Sequence, residues 1–157
     1  MKPSVYIETT IVSYLTAKPS RDLIVAAHQQ ITNEWWTDVR PQVDCFVSPF
    51  LIDEVSRGDA AYAQKRLDEI AEFAVLEVNE QIEDLAQQYF AALQIPEKSK
   101  IDAFHLATAA WHKMDYVLSW NCKHIASGRV QKTLQEINIR LGVHTSIVCT
   151  PEELMEV

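Results

Sequence analysis

Short apolar stretches recur along the chain and indicate buried β-strands. Each combines β-branched or aromatic residues with flanking polar or turn residues, a pattern typical of strands. They predict five strands, at residues 3–8, 44–48, 74–78, 116–120 and 145–149. The first of these ends directly at a carboxylate, Glu8.

The longer stretches between the strands carry apolar residues at helical spacing. In residues 21–39, the positions that recur at this spacing are Leu23, Ala26, Ala27, Ile31 and Trp35. Thr9-Thr10 are expected to cap a short helix that ends at Leu15, and Ser48-Pro49 supply a cap and a first helical position for a stretch ending near Arg57. Further helices are predicted at residues 59–72, 79–93, with Asn79 as the cap, 99–113 and 128–141.

Strands that alternate with helices of this length indicate a parallel sheet covered on both faces. We therefore predict a three-layer α/β/α sandwich with a central, mainly parallel sheet of about five strands. No repeat, low-complexity tract or flexible linker divides the sequence, and 157 residues suffice for one substantial core. Residues 1–157 are expected to form a single domain.

Four oxygen-bearing side chains are predicted at one edge of this sheet. In a parallel α/β sheet, ligands bind beyond the carboxyl ends of the strands, where the following helices begin. Glu8 and Asn121 close two strands, whereas Glu54 and Asp102 lie in the first two turns of helices. Carboxylates brought together there need a cation, and oxygen ligands suit Mg²⁺ or Mn²⁺. Such a site is able to hydrolyse a phosphodiester.

Four segments carry a resemblance to PIN domains, and more narrowly to the VapC toxins of type II toxin–antitoxin pairs. They are Val5-Tyr6-Ile7-Glu8-Thr9-Thr10, Glu54-Val55-Ser56-Arg57-Gly58, Asp102-Ala103-Phe104-His105 and Leu118-Ser119-Trp120-Asn121. The similarity covers nearly the whole chain, in order. It implies a magnesium- or manganese-dependent endoribonuclease with RNA as its substrate, commonly a homodimer and inhibited by a small antitoxin protein.

The chain departs from the pattern of this family at two positions. Glu8 and Asn121 stand where most PIN domains have Asp. Glutamate is one methylene longer, and asparagine offers a neutral oxygen that lowers the charge of a metal site. These two departures leave open a rival reading, in which a PIN-fold protein with weakened catalysis acts through protein partners.

Each candidate ligand also has a structural alternative. Ser99-Lys100-Ile101-Asp102 matches a capping box, which would make Asp102 a helix cap. Glu8 could supply negative charge to the next helix, and Glu54 could be a solvated helix residue beside Asp53. Asn121 could be a turn residue. The functional interpretation is preferred for the three carboxylates, while both remain open for Asn121.

Other side chains are expected around the ligands. Thr9 and His105 are candidates to contact a carboxylate or phosphate, although helix capping and a half-buried structural histidine explain them almost as well. The cations expected to contact RNA are Arg57, Lys98, Lys100 and Lys123. His112 and His124 are interpreted as structural or exposed. Trp35-Trp36 are assigned to core and interface surface rather than to base stacking, and the apolar face of residues 23–36 could support a dimer or an antitoxin helix.

Composition limits these interpretations. The net charge of −8 counts against a nucleic-acid partner, but cations can cluster on one face, and a bound divalent ion inverts the local sign. Three separated cysteines argue against a disulfide framework or a cysteine zinc site, so Cys45 and Cys149 are read as core residues. No membrane-spanning stretch or secretion signal is apparent, which predicts a cytoplasmic protein without a membrane partner.

Overall fold

A computed structural model describes all residues, 1–157. It contains one sheet of five strands, all parallel, in the order β3-β2-β1-β4-β5. The strands are β1 (Ser4–Ile7), β2 (Asp44–Val47), β3 (Ala74–Val75), β4 (Tyr116–Leu118) and β5 (Ile147–Cys149). The predicted α/β/α architecture is confirmed, with β3 reduced to two residues.

Seven α-helices cover the sheet. They are α1 (Thr9–Thr16), α2 (Leu23–Asp38), α3 (Pro49–Val55), α4 (Ala60–Ile70), α5 (Glu80–Ala92), α6 (Ile101–Trp111) and α7 (Gly128–Leu141). Short 3-10 turns occur at Arg40–Gln42, Glu97–Ser99 and Pro151–Leu154. None of the helices combines the length and apolar character that crossing a membrane would require.

Alternation along β1 assigns its side chains to two separate cores. Val5 and Ile7 pack with helices α1 to α4 on one face, whereas Tyr6 packs with α5 to α7 on the other. Trp35 and Trp36 are buried in the first of these cores, so their assignment to the core is confirmed. Both are too deeply buried to supply interface surface.

Helix starts follow the predicted chemistry with two exceptions. Ser48 accepts from the backbone N–H of Leu51, and Asn79 accepts from that of Ile82, as the capping assignments require. Helix α1, however, is capped by Glu8 rather than by Thr9-Thr10. Helix α6 begins after a 3-10 turn and has no side-chain cap, so the capping box proposed for Ser99 and Asp102 is wrong.

The predicted apolar face of α2 is only partly correct. Leu23 is 87% exposed and Ile24 is 69% exposed, whereas Gln29 and Thr32 point inward. Polar residues occupy these inward positions because local partners satisfy them. The Gln29 amide bonds Lys18 O and Ser20 N, for example. The first turn of α2 therefore leaves two large aliphatic side chains on the surface.

The order of the strands creates a crevice between β1 and β4. The chain moves outward from β1 to β2 and β3, and then crosses back to place β4 on the other side of β1. In open α/β sheets, ligand sites lie outside the carboxyl ends of the strands at such a reversal. Glu8 leaves β1 and Ser119 leaves β4 at this point, and Glu8 N donates to Leu118 O at 3.1 Å.

Candidate active site

Glu8 follows β1 directly, at the reversal of strand order beside β4, and is only 3% exposed. Its Oε1 atom accepts three hydrogen bonds, from Ser119 Oγ at 2.6 Å, Thr10 Oγ1 at 2.5 Å and Thr10 N at 3.2 Å. Burial raises the pKa of Glu8, although these donors and the charge of His105 act in the opposite direction. Helix capping thus accounts for one oxygen of the carboxylate and leaves Oε2 without a hydrogen-bond donor.

Glu54 reaches the crevice from the second turn of α3. Its Oε1 atom accepts from Thr9 Oγ1 and from Nε2 of His105, each at 2.6 Å. Partial burial raises the pKa of Glu54, but the hydrogen bonds from His105 and Thr9 and the positive charges of His105 and Arg57 together outweigh it, and the net shift is downward. Glu54 is therefore an ionised, oriented carboxylate rather than a freely solvated helix residue.

A buried chain of hydrogen bonds holds His105 in place. Its Nδ1 atom lies 2.6 Å from the Tyr6 hydroxyl, which in turn lies 2.6 Å from Ser48 Oγ. Burial is the largest single influence on the pKa of His105 and lowers it. The hydrogen bond to Glu54 and the negative charges of Glu8, Glu54 and Asp102 together outweigh burial, so the pKa of His105 is raised. Because a carboxylate accepts, Nε2 of His105 donates to Glu54, while the Tyr6 hydroxyl holds Nδ1 of the ring and contacts Ser48 on its other side.

Asp102 lies in the first turn of α6 and is 7% exposed. Its Oδ2 atom accepts from Asn121 Nδ2 at 3.1 Å and from His124 Nδ1 at 2.9 Å. The amide oxygen of Asn121 accepts from His124 N at 3.0 Å, so Asn121 also closes the turn after β4. The turn role of Asn121 is thus present, together with a direct contact to Asp102.

The three carboxylates share one arrangement that is relevant to metal binding. Each has one oxygen engaged by protein donors, and the other, Oε2 of Glu8, Oε2 of Glu54 and Oδ1 of Asp102, accepts no hydrogen bond. The only fully enclosed side-chain polar atom without a partner is Ser146 Oγ, so these free oxygens contact solvent. Hard divalent cations bind carboxylate oxygens of this kind.

The carboxylates are less tightly gathered than the sequence suggested. Glu8, Glu54 and Asp102 surround the same histidine, but no three His, Cys, Asp or Glu side chains approach closely enough to form a ready-made metal cluster. The expectation of a tight cluster is therefore wrong for the metal-free protein. The physical reason is that separate donors hold each carboxylate, His105 at Glu54, Ser119 at Glu8 and His124 at Asp102. The donor set fits a divalent cation in chemical type.

Several residues of the site were not identified from the sequence. Thr10 and Ser119 hold Glu8, Tyr6 supports His105, and His124 contacts Asp102, although His124 was read as structural or exposed. Only the contact of His124 could have been inferred from the sequence. A turn that begins at Asn121 brings the third following residue, His124, back toward Asn121. The other contacts depend on side-chain packing across the sheet.

The predicted RNA-contacting cations make no hydrogen bond to the candidate ligands. Arg57 pairs with exposed Asp53 one helical turn away, and Lys100 lies over the ring of Phe90, with Nζ 5.2 Å from its centroid. Lys98 and Lys123 are exposed. His112 bonds Glu77 O, in agreement with its structural interpretation.

Comparison with known proteins identifies the family of this arrangement. A family model described as the PIN domain matches residues 5–121, well over half of the chain. The matched span includes all four predicted ligands and ends three residues before His124. No curated protein matches the sequence.

Proposed function

The chain belongs to the PIN domain family, whose members are generally metal-dependent nucleases, and we propose that it is a Mg²⁺- or Mn²⁺-dependent endoribonuclease. We further propose that it is the toxin of a type II toxin–antitoxin pair, of the VapC kind. The observation that carries the nuclease proposal is the set of three solvent-facing carboxylate oxygens, one each from the end of β1, α3 and α6.

Glu8, Glu54 and Asp102 would hold the cation through these free oxygens, with Asn121 assisting. A bound divalent cation polarises a phosphoryl oxygen, lowers the pKa of a water molecule and neutralises charge on the leaving oxygen. The protein supplies orientation. Thr10 and Ser119 fix Glu8, Thr9 and His105 fix Glu54, and Asn121 and His124 fix Asp102. Donors of this kind set the angle and basicity of metal-binding carboxylates.

Cleavage of a structured RNA tests the nuclease proposal. We expect cleavage with Mn²⁺ or Mg²⁺ that EDTA abolishes. Asp102→Asn should reduce the rate by more than the roughly 10- to 100-fold typical of changes outside the ligand set. Asp84→Asn is the matched control, because Asp84 is exposed on α5 and makes no side-chain hydrogen bond. Undiminished cleavage by the Asp102 variant would contradict the proposed ligand set.

The second candidate function is a PIN-fold protein with weakened catalysis that acts through protein partners. The amide oxygen of Asn121 is already engaged by His124 N, and no three-ligand cluster is formed in advance; both observations favour this candidate. Calorimetric titration with Mn²⁺ discriminates between the two functions. The nuclease requires saturable binding near neutral pH that Asp102→Asn weakens, whereas the weakened protein would show none.

The toxin proposal includes a homodimer, a small antitoxin and a location in the cytoplasm. The exposed side chains of Leu23 and Ile24 on the first turn of α2 provide apolar surface for one of these contacts. Light scattering after size-exclusion chromatography tests the dimer. A short neighbouring reading frame whose product has a DNA-binding N-terminus and co-purifies with this chain would support the antitoxin.

We also propose that residues 1–157 act as one domain. The residues after 121 contribute β5 to the sheet, while Val130, Leu134 and Ile137 of α7 join the same core as Tyr6. A stable fragment lacking α7 and β5 in limited proteolysis would contradict this assignment.

A further inference from the structure

A surface pocket of about 540 Å³ lies between the end of α1 and the turn that joins α3 to α4. It is the largest of the surface pockets. Its lining includes Ser13, Lys18, Arg57, Asp59, Tyr62 and Arg66. Gly58, at the turn, has a φ of +85°, a left-handed conformation that favours glycine and allows the chain to change direction there.

The charge of this pocket is opposite to that of the protein. The chain as a whole has 14 Lys and Arg against 22 Asp and Glu. Among the charged residues that line the pocket, three are cations, Lys18, Arg57 and Arg66, and only Asp59 is an anion. The carboxylate of Asp59 is engaged in capping α4, where it accepts from the backbone N–H groups of Ala61 and Tyr62. The local field therefore attracts anions in an otherwise acidic molecule.

The cations retain donors for a ligand. Arg66 donates to Val55 O at 2.9 Å and to Arg57 O at 2.7 Å, which fixes its side chain beside the end of α3. A guanidinium has five N–H donors, so three of those on Arg66 remain. Lys18 makes no side-chain hydrogen bond or ion pair. Arg57 pairs with Asp53 in an exposed contact, a type of pair that contributes little and that a phosphate can replace.

Two elements connect this pocket to the candidate ligands. Thr9 begins α1 and donates to Glu54, and Ser13 lies one turn further along the same helix, about 6 Å away along its axis. Arg57 follows Glu54 by three residues. A strand of RNA whose scissile phosphate lies at the carboxylates can therefore run along α1 and place further phosphates first at Arg57 and then at Lys18.

We propose that this pocket binds the phosphate backbone of the RNA substrate on one side of the cleaved bond. The assignment rests on the proposed ribonuclease function and adds the path of the substrate strand. RNA is favoured over an acidic protein segment because Arg57, which lines the pocket, follows the candidate ligand Glu54 by only three residues, so a strand cleaved at Glu54 reaches this cation.

Fluorescence anisotropy with a labelled single-stranded RNA of about 12 nucleotides tests the proposal. EDTA is present so that cleavage does not interfere, and affinity is measured over a range of salt concentrations. Lys18→Gln and Arg57→Gln should each weaken binding and reduce the slope of log K against log salt by about 0.7, the value for one phosphate contact on a single strand.

Lys132→Gln is the matched control, because it removes an exposed cation from α7 in the opposite helix layer. It should bind RNA as the unaltered protein does. The proposal is overturned if the unaltered protein shows no binding at low salt, or if the Lys18 and Arg57 variants bind like the control. It is also overturned if a polyglutamate peptide of equal charge displaces the RNA as effectively as unlabelled RNA, which would assign the pocket to an acidic protein segment.

The two proposals fail in different ways. Metal-dependent cleavage by the unaltered protein, combined with normal RNA binding by the pocket variants, would remove the pocket and leave the nuclease. Binding that depends on Lys18 and Arg57 without any cleavage would remove the nuclease and leave the pocket.

Discussion

His105 donates from Nε2 to Oε1 of Glu54 across 2.6 Å, and this hydrogen bond joins two helix layers past the end of the sheet. Glu54 belongs to α3 on one face, and His105 belongs to α6 on the other. The partner of His105 on its other side, Tyr6, comes from the central strand β1. The orientation of a candidate metal ligand is thus tied to the buried centre of the fold.

Tyr6→Phe tests whether this connection positions Glu54. The variant removes the hydrogen-bond partner of His105 Nδ1 and should lower the free energy of unfolding by about 1–3 kcal/mol, the cost of an unsatisfied buried polar group. If the bond also orients Glu54, calorimetry should show Mn²⁺ affinity reduced by roughly 10- to 100-fold.

Tyr89→Phe provides the matched control for that variant. Tyr89 is equally buried and donates to Asn138 Oδ1 at 2.5 Å, between α5 and α7. Its loss should destabilise the protein to a similar extent and leave Mn²⁺ affinity unchanged. Equal Mn²⁺ affinity in the two variants would show that Tyr6 serves stability alone.

The stability of the metal-free protein should depend on pH through Glu54 and His105. The lowered pKa of Glu54 gives stabilisation that is present above its ordinary value of 4.5 and is lost as pH falls. The raised pKa of His105 gives stabilisation that is present below its ordinary value of 6.5 and is lost as pH rises. Burial raises the pKa of Glu8, so this residue also makes the folded protein less stable as the pH rises.

We therefore expect the free energy of unfolding to be highest at about pH 4.5, to decrease above that value through Glu8, and to decrease further above about pH 6.5 through His105. Urea unfolding in EDTA measures this profile. In His105→Gln, the decrease above pH 6.5 should be smaller. A flat profile from pH 6.5 to 8 in the unaltered protein would contradict the ion pair.

The sequence was sufficient to predict the fold because the signals that define it are local. Strand composition, the cap at Ser48 and the length of α7 agree with the structure. The location of Glu8 and Asn121 at one edge follows from strand direction alone. The inward positions of α2 were harder to predict, since Gln29 and Thr32 are buried by virtue of hydrogen bonds that no periodicity reveals.

The partners of the carboxylates were also beyond the reach of the sequence. Ser119 contacts Glu8 across 111 positions and His105 contacts Glu54 across 51, so both contacts depend on how β1, β4, α3 and α6 pack. For the same reason, the distance between carboxylates could not be derived. Residue types indicated a metal site, but donors from distant segments determine how each carboxylate is held.

The three thiols should differ sharply in reactivity. Cys122 is exposed, whereas burial raises the pKa of Cys45 and of Cys149 to about 12. We expect one thiol to react with Ellman's reagent in the native protein and three in denaturant. Mass spectrometry after alkylation should locate the native modification at Cys122. Rapid native modification of Cys149 would contradict its placement in β5.

Asn121→Asp tests whether the contact between Asn121 and Asp102 limits metal binding. At present the amide nitrogen of Asn121 donates to Asp102, so a carboxylate at position 121 replaces an attraction by repulsion over a similar distance. The metal-free variant should be less stable, whereas Mn²⁺ should bind more tightly because the site gains a charge. A tenfold gain in affinity would add about 1.4 kcal/mol to the stabilisation by saturating Mn²⁺.

Asn79→Asp separates this effect from a general effect of added charge. Asn79 caps α5 through its side-chain oxygen, and aspartate caps helices equally well. Asn79→Asp adds the same charge outside the candidate site. The change in unfolding free energy that Mn²⁺ induces should therefore be the same in this variant as in the unaltered protein. A fourth carboxylate beside Asp102 would strengthen a site in which the free oxygens of Glu8, Glu54 and Asp102 bind one ion together. If Asn121→Asp gives no larger Mn²⁺ response than this control, these oxygens do not act together on one ion.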